Sequence, residues 1–214
     1  MKILELFAGS KSVGKIAELR GHTVCSVDIE SFDGIDNVKD IEFLTIADLP
    51  FIPDMIWASP PCTTYSIAAI SHHRKNGLPI SEFAKKSDRL IINTIKIINS
   101  FPKAIYYIEN PRGFLRKMPF MKPFHRTTVT YCSYGDKRMK PTDIWSNNIF
   151  NLLEQYKTWN PRHSCFNGNT KCHHEPAPRG SRTGTQGLKD NYERSIIPED
   201  LCLEIIKATE GLFI

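Results

Sequence analysis

No apolar run in the sequence approaches the roughly 20 residues that a helix needs to cross a bilayer, and neither an internal repeat nor a low-complexity tract is present. The opening apolar stretch, MKILELFAGS, is short and is interrupted by Glu5, so it reads as a strand and not as a signal peptide. Cysteine is sparse. The six, at 25, 62, 132, 165, 172 and 202, lack the dense spacing of a secreted disulfide framework, which points to free thiols in a reducing, cytoplasmic setting.

What is present is ordinary for a globular chain of 214 residues: 41% hydrophobic and 24% charged, enough for one substantial core and too little for two ordinary domains. The net charge of +5 hides an asymmetry. Residues 111–194 hold 15 lysines and arginines against 6 acids, whereas the rest of the chain is mildly acidic. A basic block beside a near-neutral core suits a surface facing a polyanion; a solvated loop with surplus lysine is the alternative.

Apolar runs at 2–7, 23–28, 53–58 and 103–108 alternate with helical patterns near 13–20 and 82–100. This rhythm predicts an α/β fold with a mostly parallel sheet covered on both faces. Residues 151–194, rich in Pro, Gly, Asn, Lys and His, read as loops, and a last helix is predicted near 198–209. The expected organisation is a catalytic unit over 1–150, a basic DNA-reading segment over 151–194 and a C-terminal helix within 195–214 that packs back on the first unit.

Chemistry-bearing residues cluster where the apolar runs stop, the side of an open α/β sheet on which ligands bind. Phe7-Ala8-Gly9 forms a glycine turn after the first strand, without the spacing of a triphosphate-cradling loop, so an adenosine lacking a triphosphate fits better. Asp28, followed by Ile29, closes the second strand, where an acid can accept from ribose hydroxyls. Asp40 could accept from an adenine amino group while Ile41 packs on the ring. Pro60 and Pro61 fix the backbone before Cys62 and hold one thiol at the rim. Glu109-Asn110-Pro111 repeats the pattern, with an acid at a strand end followed by proline.

Taken in order, the FAG turn, Asp28, Asp40-Ile41, PPC at 60–62 and ENP at 109–111 resemble the motifs of the DNA cytosine-5 methyltransferase family, in a compact phage-like form of a bacterial or phage-infected cell; the resemblance spans about residues 1–147. It implies a Rossmann-like S-adenosylmethionine-dependent methyltransferase fold and double-stranded DNA with a flipped cytosine as partner. It also implies Cys62 as nucleophile at cytosine carbon 6 and Glu109 as the acid at N3. Phe7, Ala8, Gly9, Asp28, Ile29, Asp40, Ile41 and Pro60 would hold the cofactor. Ser66, Arg74, Asn110, Arg138, Lys140, Thr142, Arg179 and Arg182 would face DNA, with residues 63–87 as the loop that closes over the base. Methylation of RNA or of a free nucleotide, and a catalytically silent cofactor-binding regulator, are the alternatives. The sequence departs from the family in having Lys11 where a second glycine is usual, and in replacing the arginine-rich motif with YGDKRMKPT at 134–142. His163, Cys165, Cys172 and His173 are candidate zinc ligands, against a merely polar loop.

Overall fold

A computed structural model describes residues 1–148, 159–176 and 190–213. Its centre is a seven-stranded sheet in the order β3-β2-β1-β4-β7-β9-β8. The strands are β1 (Lys2–Leu6), β2 (Thr23–Asp28), β3 (Asn37–Val38), β4 (Met55–Ala58), β7 (Ile105–Pro111), β8 (Arg126–Thr130) and β9 (Pro141–Ser146). A separate two-stranded hairpin pairs β5 (Arg74–Lys75) with β6 (Leu78–Pro79). The first five strands of the large sheet run parallel, and β9 and β8 add antiparallel at one edge.

Each face of the sheet is closed by helices. On one side Leu4, Leu6, Ile56 and Ile108 meet Leu90, Ile91, Ile97 and Ile98 of α3 (Glu82–Asn99). The Ser81 hydroxyl caps this helix by accepting from Ala84 N at 3.1 Å, and its buried positions recur every three or four residues. On the other side Ile3, Trp57 and Tyr107 meet Val13 and Ala17 of α1 (Ser12–Leu19) and Leu201, Ile205 and Ile206 of α5 (Glu199–Glu210). Two short helices, α2 (Ile70–His73) and α4 (Asn191–Ser195), lie in the connections. No helix among the described residues is long and apolar enough to cross a membrane.

Glu5 occupies this second, helix-covered face from β1. Its carboxylate accepts from Val13 N at 3.1 Å and Gly14 N at 3.0 Å, capping the first turn of α1. Burial nonetheless pushes its carboxyl up to about 7.

Candidate active site

The parallel ladder between β4 and β7 ends at Ala58 opposite Ile108. It ends there because Pro60 and Pro61 have no N–H to donate. β7 runs on to Pro111, so Glu109 and Asn110 stand beyond the end of β4, beside the turn that carries Cys62. Asn110 replaces the lost ladder by donating from Nδ2 to Pro60 O at 2.8 Å. That bond fixes the amide, and its other end, Oδ1, is the buried side-chain polar atom without a partner among the described residues. A buried acceptor left unpaired costs about 1–3 kcal/mol, a cost that a donor on a bound ligand would remove.

Cys62 is half-buried and opens a 3₁₀ turn over Thr63–Tyr65, with Tyr65 N donating to Cys62 O at 3.0 Å. Burial and the nearby Glu109 push its thiol up, while Lys140 and Arg194 pull it down. Glu109 is 5% exposed. Burial raises its carboxyl as well, opposed by the Lys140 charge and by the Tyr131 hydroxyl, which donates to Oε1 at 2.9 Å. Lys140 lies 4.4 Å from the centre of the Tyr131 ring and donates to Arg194 O at 3.0 Å; burial pushes its ammonium down. A thiol, a carboxyl group and an ammonium therefore share one low-dielectric corner. Two negative charges repel there, so protonating Glu109 eases ionisation of Cys62.

The glycine turn follows β1, the strand paired with β4. Phe7 (φ 57), Gly9 (φ 46) and Lys11 (φ 54) all take left-handed conformations. The usual glycine at position 11 thus answers a backbone demand, which Lys11 meets with side-chain bonds: its ammonium reaches Glu18 at 2.8 Å and Asp36 at 3.9 Å. Gly9 N donates to Asp28 Oδ2 at 2.9 Å, and Glu30 N to Asp28 Oδ1 at 3.0 Å. A Cβ on Gly9 would stand 3.8 Å from Ser195 Oγ and 4.0 Å from Asp28 Oδ2, so the missing side chain leaves a cradle between the turn and the C-terminal segment.

The other sequence-predicted residues divide. Ala8 and Pro60 are buried and Ser66 half-buried, while Ile29 is exposed beside Asp28. Ser66 Oγ accepts from Ala68 N at 3.3 Å. Asp40 accepts from Lys86 Nζ at 2.7 Å and Glu42 N at 3.0 Å, and Ile41 is 2% exposed within the core. Arg74 departs from the expected phosphate contact. Its guanidinium is buried, paired with Asp88 at 2.6 Å and stacked 4.3 Å from the centre of the Tyr65 ring, because β5 turns it inward. Residues 63–87 are likewise built from a 3₁₀ turn, α2 and the hairpin, tied to α3 through Asp88. Thr142 is buried, and its hydroxyl turns to Lys140 O at 3.1 Å. Arg138 pairs with Asp136 and donates to the carbonyls of Glu193, Arg194 and Ile196, holding the C-terminal segment. Arg179 and Arg182 lie outside the described residues.

Two participants had no signal in the sequence. Tyr131 follows a threonine-rich strand, and Ser59, whose hydroxyl accepts from Trp57 Nε1 at 2.7 Å and bonds Glu109, looks like part of a turn. The metal candidates also need correction. The thiols and imidazole that converge are those of Cys132, Cys165, Cys172 and His174. His163 is absent from this group, and His173 Nε2 bonds Asp136 O at 3.1 Å.

This geometry agrees with the sequence comparisons. The sequence model described as C-5 cytosine-specific DNA methylase matches residues 1–122, more than half of the chain. The chain belongs to this family. It is a methyltransferase of the cytosine-5 class. A probable DNA (cytosine-5)-methyltransferase of Frog virus 3 (isolate Goorha) is 28% identical over 222 residues, which cover 94% of this chain and 100% of the viral one. The crystal structure of a Spodoptera frugiperda DNMT2 mutant superimposes with a TM-score of 0.52 at 16% identity. The match covers 82% of this methylase, which spans 57% of the DNMT2 chain.

Proposed function

We propose that this methylase modifies carbon 5 of cytosine in DNA, with S-adenosylmethionine as methyl donor, Cys62 as covalent nucleophile and Glu109 as the acid at N3. The observation that carries the proposal is the paired strand ends, which bring Glu109 near Cys62 and tie Asn110 to the PPC turn with its Oδ1 left unpartnered. The residues near the glycine turn fit the cofactor: Gly9 leaves the cradle, and each Asp28 oxygen keeps a lone pair beyond its backbone bond. Phe7, Ala8, Ile29, Asp40, Ile41 and Pro60 would complete that side. When bound, the cofactor supplies an electrophilic methyl group.

Carbon 5 of cytosine is a weak nucleophile. The Cys62 thiolate forms a bond to carbon 6 while Glu109 passes its proton to N3, and the ring becomes an enamine whose carbon 5 can take the methyl group. A base then removes the carbon 5 proton, the Cys62–carbon 6 bond breaks, and the proton at N3 returns to Glu109. Carbon 6 is inaccessible within a stacked duplex, so the cytosine must be flipped out. Asn110 Oδ1, with Ser66 beside the nucleophile's turn, would face the base, and Arg179 and Arg182 are assigned to the DNA backbone.

The test is covalent trapping on duplex DNA whose target cytosine carries fluorine at carbon 5, since that substituent cannot be removed as a proton. With cofactor present, a protein–DNA band should survive denaturing electrophoresis, and Cys62→Ser should abolish it. Trapping by fluorinated RNA or free nucleotide and not by DNA would reassign the substrate. No band with any substrate would favour a silent regulator, and full methylation by Cys62→Ser would overturn the mechanism.

A further inference from the structure

Outside the catalytic corner, a second cluster of reactive side chains has no part in the proposed chemistry. Cys132, buried in the 3₁₀ turn Tyr131–Tyr134, meets Cys165, Cys172 and His174 from the segment 159–176, and one ligand atom from each falls within 4.8 Å of all the others. Four soft or borderline donors from two stretches of chain, more than 30 positions apart at Cys132 and Cys165, converge as the ligands of one metal ion would. A tetrahedral zinc ion with Zn–S near 2.3 Å and Zn–N near 2.0 Å separates its ligand atoms by about 3.5–3.8 Å. Cys165 Sγ and His174 Nδ1 stand 3.7 Å apart, at that edge length.

The backbone is arranged to hold these donors. Cys165 N donates to Thr130 Oγ1 at 2.8 Å, Ser164 Oγ to Thr128 O at 2.8 Å and Ser133 Oγ to His163 O at 2.8 Å, which docks the first half of the segment on β8. The chain then turns through Gly168 (φ 83), and Asn169 donates from Nδ2 to Cys165 Sγ at 3.3 Å while its carbonyl accepts from Cys172 N at 3.2 Å. Glu175 N donates to Lys137 O at 2.9 Å and closes the far end. Donation from an amide N–H to a sulfur is the arrangement that supports a metal-bound thiolate.

We infer that Cys132, Cys165, Cys172 and His174 form a structural zinc site, which fastens the segment 159–176 to the turn that begins with Tyr131. All four protein ligands are present, so the site is closed, as structural zinc sites are, and has no open position for catalysis. Because Tyr131 holds Glu109 while Cys132 binds the metal, one turn joins the zinc site to the catalytic carboxyl group.

Elemental analysis of full-length protein purified without chelator should find stoichiometric zinc. Replacement by cobalt(II) should give the absorption of a tetrahedral site together with thiolate-to-metal charge transfer. His174→Ala and Cys172→Ser should lose stoichiometric metal, whereas His163→Ala and His173→Ala should keep it. Only trace zinc with no tetrahedral cobalt spectrum would overturn the assignment, as would a disulfide among the three cysteines in mass spectra of unreduced protein. Full zinc in His174→Ala combined with loss in His173→Ala would overturn this ligand set. The intact-protein cobalt spectrum keeps the test decisive even if Cys132→Ser fails to fold.

Discussion

Tyr131→Phe is the most informative perturbation of the proposed mechanism, because it deletes one hydroxyl and leaves the packing ring in place. The hydroxyl donates to Glu109 at 2.9 Å and stabilises the ionised carboxylate against the burial that raises its carboxyl. A hydrogen bond to a charged group is worth about 1.5–3 kcal/mol, so its loss moves the Glu109 protonation equilibrium toward the acid by about ten- to a hundredfold. With one proton shared between them, Cys62 and Glu109 exist either as thiol and carboxylate or as thiolate and carboxylic acid. Only the second pair reacts, and the substitution raises its population by the same factor until it predominates.

A weaker acid transfers its proton less readily, which offsets part of this gain in the Brønsted sense. The net expectation for single-turnover trapping of fluorinated DNA is therefore a several-fold acceleration, roughly the square root of the population factor for a half-transferred proton. The acidic limb of the pH–rate profile should move to higher pH. Cofactor affinity by calorimetry should not change, since Tyr131 lies behind Glu109 and away from the glycine turn. Trapping slowed about tenfold or more, with cofactor affinity intact, would refute this protonation assignment. It would mean that Glu109 serves the reaction as a carboxylate held by Tyr131.

Two further substitutions test the cofactor side and the framework. Asp28→Ala should weaken S-adenosylmethionine binding by about 1–3 kcal/mol, both through lost ligand bonds and through release of Gly9 N, and unchanged affinity by calorimetry would reject the role. Glu5, raised from 4.5 to about 7, binds its proton more tightly folded than unfolded, so its contribution to stability falls as pH rises across that window. The change is about 3 kcal/mol at most. Glu5→Gln should flatten this part of the profile in denaturant titrations made below and above the window, and an unaltered slope would rule the group out.

The parallel core of the fold was legible because β1, β2, β4 and β7 are runs of buried residues and α3 carries its own periodicity, whereas the two-residue β3, half-buried at Asn37 and exposed at Val38, left no such run. The predicted strand at 2–7, the strand at 23–28 and the helix at 82–100 match β1, β2 and α3 closely. β8 and β9 were not legible: RTTVT and PTDIWS carry few large apolar side chains, and Pro141 reads as a break although it only starts a strand. In the site, short motifs marked the residues held by local backbone, such as Gly9, Cys62 and Glu109. Residues recruited from across the sheet stayed hidden, because Tyr131 reaches Glu109 over 22 positions and Cys132 meets a segment more than 30 residues later. Arg74 was misread for the complementary reason. A cation in a glycine-containing loop suits phosphate, and nothing near it in sequence announces Asp88 or the Tyr65 ring.

The C-terminal segment explains how so short a chain brings both halves of the candidate site to order. Ile197 N donates to Ser12 Oγ at 3.2 Å, at the start of α1, and Ser195 Oγ borders the cradle at Gly9. One residue earlier, Arg194 O accepts from Lys140, the ammonium that faces both Glu109 and Cys62. Arg138 fastens the same stretch through three carbonyls, and Ile197, Leu201 and Ile205 anchor it in the core. Four residues, 194–197, thus touch both the region of the glycine turn and the ammonium of Lys140. Two cations of the YGDKRMKPT stretch, Arg138 and Lys140, take part in this arrangement. Arg138 and Lys140 thus point inward and hold this strap in place, which is the use the structure makes of them in place of an outward contact.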